Sequence, residues 1–277
     1  MISEKLMMSL LALDAYSRST TDLKDDVRIF DLGGEGTLLG DATISFVQNE
    51  PGSSFVAVAY SWNGKTVLSF RGTDAANIWL DGDIWNGWSL GAGFDIASQA
   101  GLAASFYEPM TGQSLFAPAS SDVILTGHSL GGGLAGYLSA LNGTKAYGFD
   151  HMVFGPAAEA RLASHLHSLG TTDPTEQQLA ALGIRLPDAS KFIGTHVENE
   201  ILVDVRNGDY AKLGANLSAA LFPVLGPLGM GGNWLLNALS QAQAAYESNV
   251  ANGMLPTFGW NQSIVPNPLA ENELHSQ

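Results

Sequence analysis

The stretch Val123-Ile124-Leu125-Thr126-Gly127-His128-Ser129-Leu130-Gly131-Gly132-Gly133-Leu134-Ala135 decides how the chain is read. Its first three residues form a short all-apolar run, as a parallel strand covered on both faces does. Gly127 and Gly131 flank Ser129 at two residues' distance, and a run of small residues follows as far as Leu138. Glycines lower helix propensity, yet small residues let a helix lie close against a sheet, so a helix is expected after Ser129. Strand, sharp turn and close-packed helix together put Ser129 in a strained turn at a helix N-terminus, with its hydroxyl lifted clear of the backbone.

Working outward, three runs with β character precede this stretch: Ala42 to Gln48, Ser54 to Trp62 and Lys65 to Phe70. Asn63-Gly64 between the last two is the strongest short hairpin signal, so residues 42 to 70 are expected to form a meander. The spacing of Ile96, Ala97, Ala100, Ala103, Ala104 and Tyr107 predicts a helix with a small-residue face, ending near Pro109. Further strands are expected over Tyr147 to Phe154 and Lys191 to Val197, separated by a polar helical stretch that includes Thr175 to Leu182. This alternation predicts an α/β fold with a mainly parallel central sheet covered by helices on both faces. The N-terminus, Met1 to Leu13, reads as an amphipathic first helix, because Glu4, a short apolar run and Asp14 fit a signal peptide badly. Asp31 to Gly36 forms a Gly-rich connection. From Tyr210 to Asn252 the composition shifts to Ala, Leu, Gly and Met, broken by Pro223, Pro227 and Gly229-Met230-Gly231-Gly232. That segment reads as two apolar helices, either plain core or a cap-like insertion (210–252) over the site. The 277 residues suit a single domain.

A G-x-S-x-G match alone is weak; the strand before it and the small-residue helix after it make it a nucleophile elbow, and the fold an α/β-hydrolase. Ser129 is then the nucleophile. His128 points away from it and reads as packing. In this fold the chain order is Ser, then Asp or Glu, then His. His165 and His167 fall in a surface-like helical segment, and His151 and His196 lie in or beside predicted strands. His275 alone follows every plausible acid and is the candidate base. The acid should orient the imidazole from just past the Lys191–Val197 strand. Glu200 and Asp204 compete there, with Glu198 third and Asp150 an outsider. The oxyanion hole needs two backbone N–H donors, expected from Leu130 and from the loop Ser69-Phe70-Arg71-Gly72-Thr73-Asp74. There Gly72 allows close approach and Thr73 supplies the donor.

Three blocks resemble the class 3, fungal-lipase-like family of α/β-hydrolases, and its bacterial phospholipase-like members in particular. They are Val67 to Thr73, Thr126 to Ala135, and His196-Val197-Glu198-Asn199-Glu200-Ile201-Leu202. The resemblance implies oxyanion roles for Thr73 and Leu130. It places the acid at Glu200, where the family has Asp, and a His-Ser pair near the domain end is similar to His275-Ser276. It also implies hydrolysis of carboxylic esters, from simple acyl esters to triacylglycerols or phospholipids, without a cofactor. Trp79, Trp85 and Trp88 lie where the family often builds a lid (74–93). They read as a substrate-binding amphipathic cover that meets a lipid interface transiently, or as anchors of a long loop.

The net charge of −15, from 27 acidic and 12 basic residues, argues against a nucleic-acid or anionic-membrane partner. There is no cysteine, hence no disulfide or thiolate metal site, and Asp81-Gly82-Asp83 is too short for a calcium loop, so no metal is expected. No segment of the sequence reaches the ~20 apolar residues of a membrane span, and a soluble protein without a cleaved signal is expected. The leading expectation is a serine carboxylic-ester hydrolase. Phospholipase A1 is the alternative, and a hydrolase-fold binding protein that lacks a working base is the third.

Overall fold

The computed structural model describes residues 2–18, 38–39, 42–50, 53, 55–72, 98–171, 175–184, 190–197 and 261–265. The described strands form one sheet in chain order: β1 (Leu38–Leu39), β2 (Ala42–Glu50), β3 (Phe55–Trp62), β4 (Lys65–Phe70), β5 (Val123–His128), β6 (Lys145–Phe149), β7 (Phe192–Val197) and β8 (Asn261–Val265). Strands β1 to β4 pair antiparallel. From β4 to β8 every pairing is parallel. The expected meander is present. Asn63 and Gly64 both take positive φ, 49° and 73°, which a tight hairpin whose twist matches its strands requires.

The central strand β3 is buried on both faces except at Ser61. In β3, Phe55, Ala57 and Ala59 enter one apolar cluster while Val56, Val58, Tyr60 and Trp62 enter the other, the period of two that a strand imposes. Helix α1 (Glu4–Asp14), extended by a 3-10 turn (Ala15–Arg18), covers the second face through Met7, Met8, Leu11 and Ala15. Ser3 caps α1 by accepting the Leu6 N–H at 3.3 Å, and Thr126 Oγ1 donates to the Met8 carbonyl at 3.0 Å, pinning the helix to β5. The first face carries α2 (Ser98–Thr111), α3 (Leu130–Asn142) and α4 (Gly155–Ser168). A short α5 (Glu176–Ala181) opens with a Thr175–Gln178 capping box. The architecture is α/β, with a mainly parallel sheet between helical layers.

Helix α2 ends at Thr111, two residues past Pro109 and close to its expected end. The proline stands in the last turn and removes only one bond, while Thr111 Oγ1 donates to the Tyr107 carbonyl and the Gly112 N–H to that of Glu108, each at 2.8 Å. The strand expected over Tyr147 to Phe154 occupies Lys145–Phe149. Asp150 turns the chain at φ 43°, and Met152, Val153 and Phe154 are buried in the core outside the ladder. Strand β8 was not expected at all, because Asn261-Gln262-Ser263 breaks any apolar run. The Gly-rich 31–36 connection, the start of the helix expected from Ile96, the 74–93 segment and the 210–252 segment lie outside the described residues.

Candidate active site

Strand β5 delivers the chain to Ser129 and α3 leaves from it. Ser129 takes φ 54° and ψ −122°, a region that costs a residue with a Cβ about 1–3 kcal/mol and persists only where its surroundings enforce it. They do so on both sides of the residue. The Ser129 N–H donates to the Phe149 carbonyl at 2.9 Å, and the Ser129 carbonyl accepts from Met152 at 3.0 Å and Gly133 at 3.1 Å.

The flanking glycines are dictated by space. A Cβ on Gly131 would run into the Phe70 carbonyl, one on Gly127 into the Gly131 carbonyl, and one on Gly136 into the Phe154 ring. Helix α3 is buried from end to end, so close approach outweighs glycine's poor helix propensity. The Ser129 side chain remains partly exposed, at the end of α3 where the helix dipole favours negative charge.

Beyond β4, Arg71 donates its N–H to the Val56 carbonyl at 3.0 Å, and Gly72 follows. A Cβ on Gly72 would strike the Tyr16 hydroxyl and stand 2.5 Å from the His128 carbonyl oxygen and 3.1 Å from Ser129 Cβ. The backbone of this loop therefore lies directly against Ser129. Leu130 opens α3 with its side chain 1% exposed in the core, which leaves its backbone N–H as the part next to Ser129.

The His128 ring is engaged on one side and faces a carboxylate on the other. Nδ1 is 2.8 Å from the Tyr16 hydroxyl, and Nε2 is 3.8 Å from Asp150 Oδ2. Loss of solvent around the ring lowers the His128 pKa, against the pull of the Asp150 charge. With the neutral ring carrying its proton toward the carboxylate, the network assigns the Tyr16 hydroxyl as donor to Nδ1. Asp150 Oδ1 accepts the Val197 N–H at 2.7 Å.

The other described histidines are placed as follows. His151 is fully buried, its Nδ1 3.0 Å from the Met152 carbonyl oxygen and its ring edge-on to Phe192. His165 stacks on Phe116 with centroids 4.0 Å apart, His167 is exposed on α4, and His196 is buried in β7. Thr73, Trp79, Trp85, Trp88, Glu200, Asp204 and His275 lie outside the described residues. Topology still constrains where their segments start. Strands β5, β7 and β8 run parallel, so the chain leaves one edge of the sheet at Ser129, again before Glu198, and again before the segment that carries His275.

Sequence reasoning missed Tyr16, whose contact with His128 spans 112 residues and leaves no local pattern. It gave Asp150 only an outsider's place, as a triad acid; in the structure Asp150 takes a positive φ, accepts the Val197 N–H and lies 3.8 Å from His128 Nε2. Among the described residues no group of three or more His, Cys, Asp or Glu is placed to hold a metal, and no helix is long and apolar enough to cross a membrane.

The family model of the Tle-like phospholipase domain, described as phospholipase-like, matches residues 9–222. No curated protein matches the chain. Among solved structures, the native Rhizomucor miehei lipase propeptide complex is similar over 74% of this chain and 64% of its own, at 14% identity and a TM-score of 0.35. This chain thus covers less than two thirds of that lipase. The family match takes in Tyr16, the Gly72 loop, the Ser129 elbow and β7, more than half of the chain: the chain belongs to the Tle-like phospholipase domain family.

Proposed function

We propose that this lipid-ester hydrolase domain works through Ser129 as a serine nucleophile. Ser129 Oγ attacks the ester carbonyl, the alcohol leaves with a proton from the base, and water then releases the fatty acid from the acyl-enzyme. The observation that carries the reading is the elbow itself: a serine enforced at φ 54° on the N-terminus of a buried helix, with the Gly72 backbone packed against it.

In this proposal the Leu130 and Thr73 N–H groups hold the oxyanion. His275 is the base, and Glu200, or Asp204 in its place, orients it. Two facts support that pair: the parallel exit of β5, β7 and β8 at one edge, and the commitment of His128 and His151 to other partners. The chain is taken as one domain, with Trp79, Trp85 and Trp88 in a lid over 74–93 and an acyl-binding wall from 210–252. Family membership favours a phospholipid among the possible esters, and phospholipase A1 is the more specific form of that reading.

Labelling by a fluorophosphonate, lost in Ser129→Ala, tests the nucleophile. Acyl release from phosphatidylcholine, measured beside p-nitrophenyl esters, tests the substrate. His275→Ala is expected to abolish both activities, by about 10³-fold or more, in a folded protein. Absence of labelling in a folded wild-type sample would instead favour a binding protein that has kept the elbow.

A further inference from the structure

Tyr16, in the 3-10 turn after α1, has no part in the reaction as described so far. Its hydroxyl lies 2.8 Å from His128 Nδ1, in hydrogen-bond contact, and the two rings lie 5.8 Å apart at 59°. The same hydroxyl occupies the space that a side chain on Gly72 would need, and that space also abuts Ser129 Cβ, 3.1 Å away. Behind His128, Nε2 faces Asp150 Oδ2 at 3.8 Å, while Asp150 grips the end of β7 twice. Its Oδ1 accepts the Val197 N–H at 2.7 Å, and its own N–H donates to the Thr195 carbonyl at 2.8 Å. One file of contacts thus runs from the N-terminal segment, through the residue that precedes the nucleophile, to the strand end that precedes Glu198.

We infer that Tyr16, held by His128, is a positioning residue for ester hydrolysis: it braces the Gly72 backbone against Ser129 and so aims the oxyanion loop. The inference rests on the Ser129 hydrolase reading. Gly72 has no side chain by which packing could fix it, and the phenol hydroxyl is the group that fills the gap. The bond to His128 sets the position of that hydroxyl, and the Asp150 contact steadies the imidazole from its other side. An oxyanion donor contributes only while it is preorganised on the developing charge, and misplacement by about 1 Å can cost ~10²-fold in rate.

The test is steady-state hydrolysis of p-nitrophenyl butyrate by the full chain, with kcat expressed per fluorophosphonate-titrated serine and Tm measured for each variant. Tyr16→Phe is expected to lower kcat by about tenfold to a hundredfold, with KM changed less than about twofold. His128→Leu should match it, and the double variant should be no worse than either single, as for groups that act in one network. His128→Asn, whose side-chain oxygen can stand in for Nδ1 as acceptor, should recover most of the loss seen in His128→Leu. A purely structural role would lower Tm or the titrated fraction and leave kcat per titrated site unchanged. A Tyr16→Phe enzyme with wild-type kcat per site, or losses that multiply in the double variant, would overturn the inference alone. An inactive wild type, or activity that survives in Ser129→Ala, would overturn the hydrolase reading and this inference with it.

Discussion

Ser129 carries two demands that conflict. The proposed chemistry needs a hydroxyl at the elbow, and the backbone there, at φ 54° and ψ −122°, suits a residue without a Cβ. Comparing Ser129→Ala with Ser129→Gly separates the two, since both remove the hydroxyl and only one removes the Cβ. Relief of the strained conformation outweighs the extra chain entropy of glycine, so Ser129→Gly is expected to be more stable than Ser129→Ala by about 1 kcal/mol. Urea unfolding midpoints decide it, and an alanine variant as stable as the glycine one would mean that the elbow is unstrained. Both should be inactive under the proposed Ser129 mechanism, which would place the stability cost on the proposed nucleophile.

At the scale of elements, α1 and its 3-10 turn are fastened by a buried ionic cluster rather than by apolar contact alone. Asp14 is fully buried, accepts the Tyr60 hydroxyl at 2.6 Å and takes both Nε and Nη2 of Arg18 at 3.2 and 3.1 Å. Burial, with the Asp14 charge and hydrogen bond behind it, raises the Tyr60 pKa well above its usual value. Asp14→Ala strands both partners and should cost about 3–5 kcal/mol, against about 1–2 for Tyr60→Phe, in chemical denaturation; equal costs would show that the carboxylate is not the centre of the cluster. Loss of this anchor should also reduce hydrolysis, because Tyr16 lies two residues beyond it. At the other end of α1, Glu4 accepts from Lys145 and from the Tyr147 hydroxyl at 2.6 Å and faces Lys65 at 3.5 Å. Burial works to raise its pKa, but the bonds from Lys145 and Tyr147 and the charges of Lys145 and Lys65 prevail and lower it below 4.5. A carboxylate with a depressed pKa stabilises the fold above its unfolded value and loses that contribution as pH falls through the folded one. The stability gap between wild type and Glu4→Gln, up to about 1 kcal/mol for a partly exposed cluster, should therefore be full at pH 6 and shrink as the solution is acidified through the carboxylate range; a gap that does not change with pH would remove Glu4 from the account. The elements themselves were largely legible in the sequence. The Asn63-Gly64 hairpin, the β5 elbow and the small-residue α3 declare themselves in a few adjacent residues. The end of β6 did not, because Asp150 turns the chain only where the β7 backbone receives it, and β8 did not, because its polar residues resemble a strand only once β7 lies beside them. The site divides along the same line: the elbow and the Gly72 loop are local patterns, whereas Tyr16 meets His128 only after folding.

For the whole molecule the governing quantity is a net charge of −15, and its distribution bears on the substrate. Lys65 and Lys145 begin β4 and β6 and are engaged by Glu4, so these cations sit at the edge of the sheet opposite the one where Ser129 emerges. Nothing in that arrangement offers a basic face to an anionic surface, and the long-range field of the molecule opposes one. If the domain cleaves phospholipids as proposed, acyl release from zwitterionic phosphatidylcholine vesicles should be faster than from vesicles enriched in phosphatidylglycerol at low salt. The difference should shrink as salt rises from about 10 to 150 mM, since the screening length falls from ~30 to ~8 Å and repulsion between protein and vesicle is cut off before contact. Binding to a membrane through clustered lysines and arginines would give the opposite order: faster turnover on the anionic vesicles at low salt, slowing as salt is added. That outcome would mean that a local basic surface outside the described residues overrides the net charge, and the comparison at two salt concentrations separates it from an intrinsic headgroup preference, which salt would leave in place.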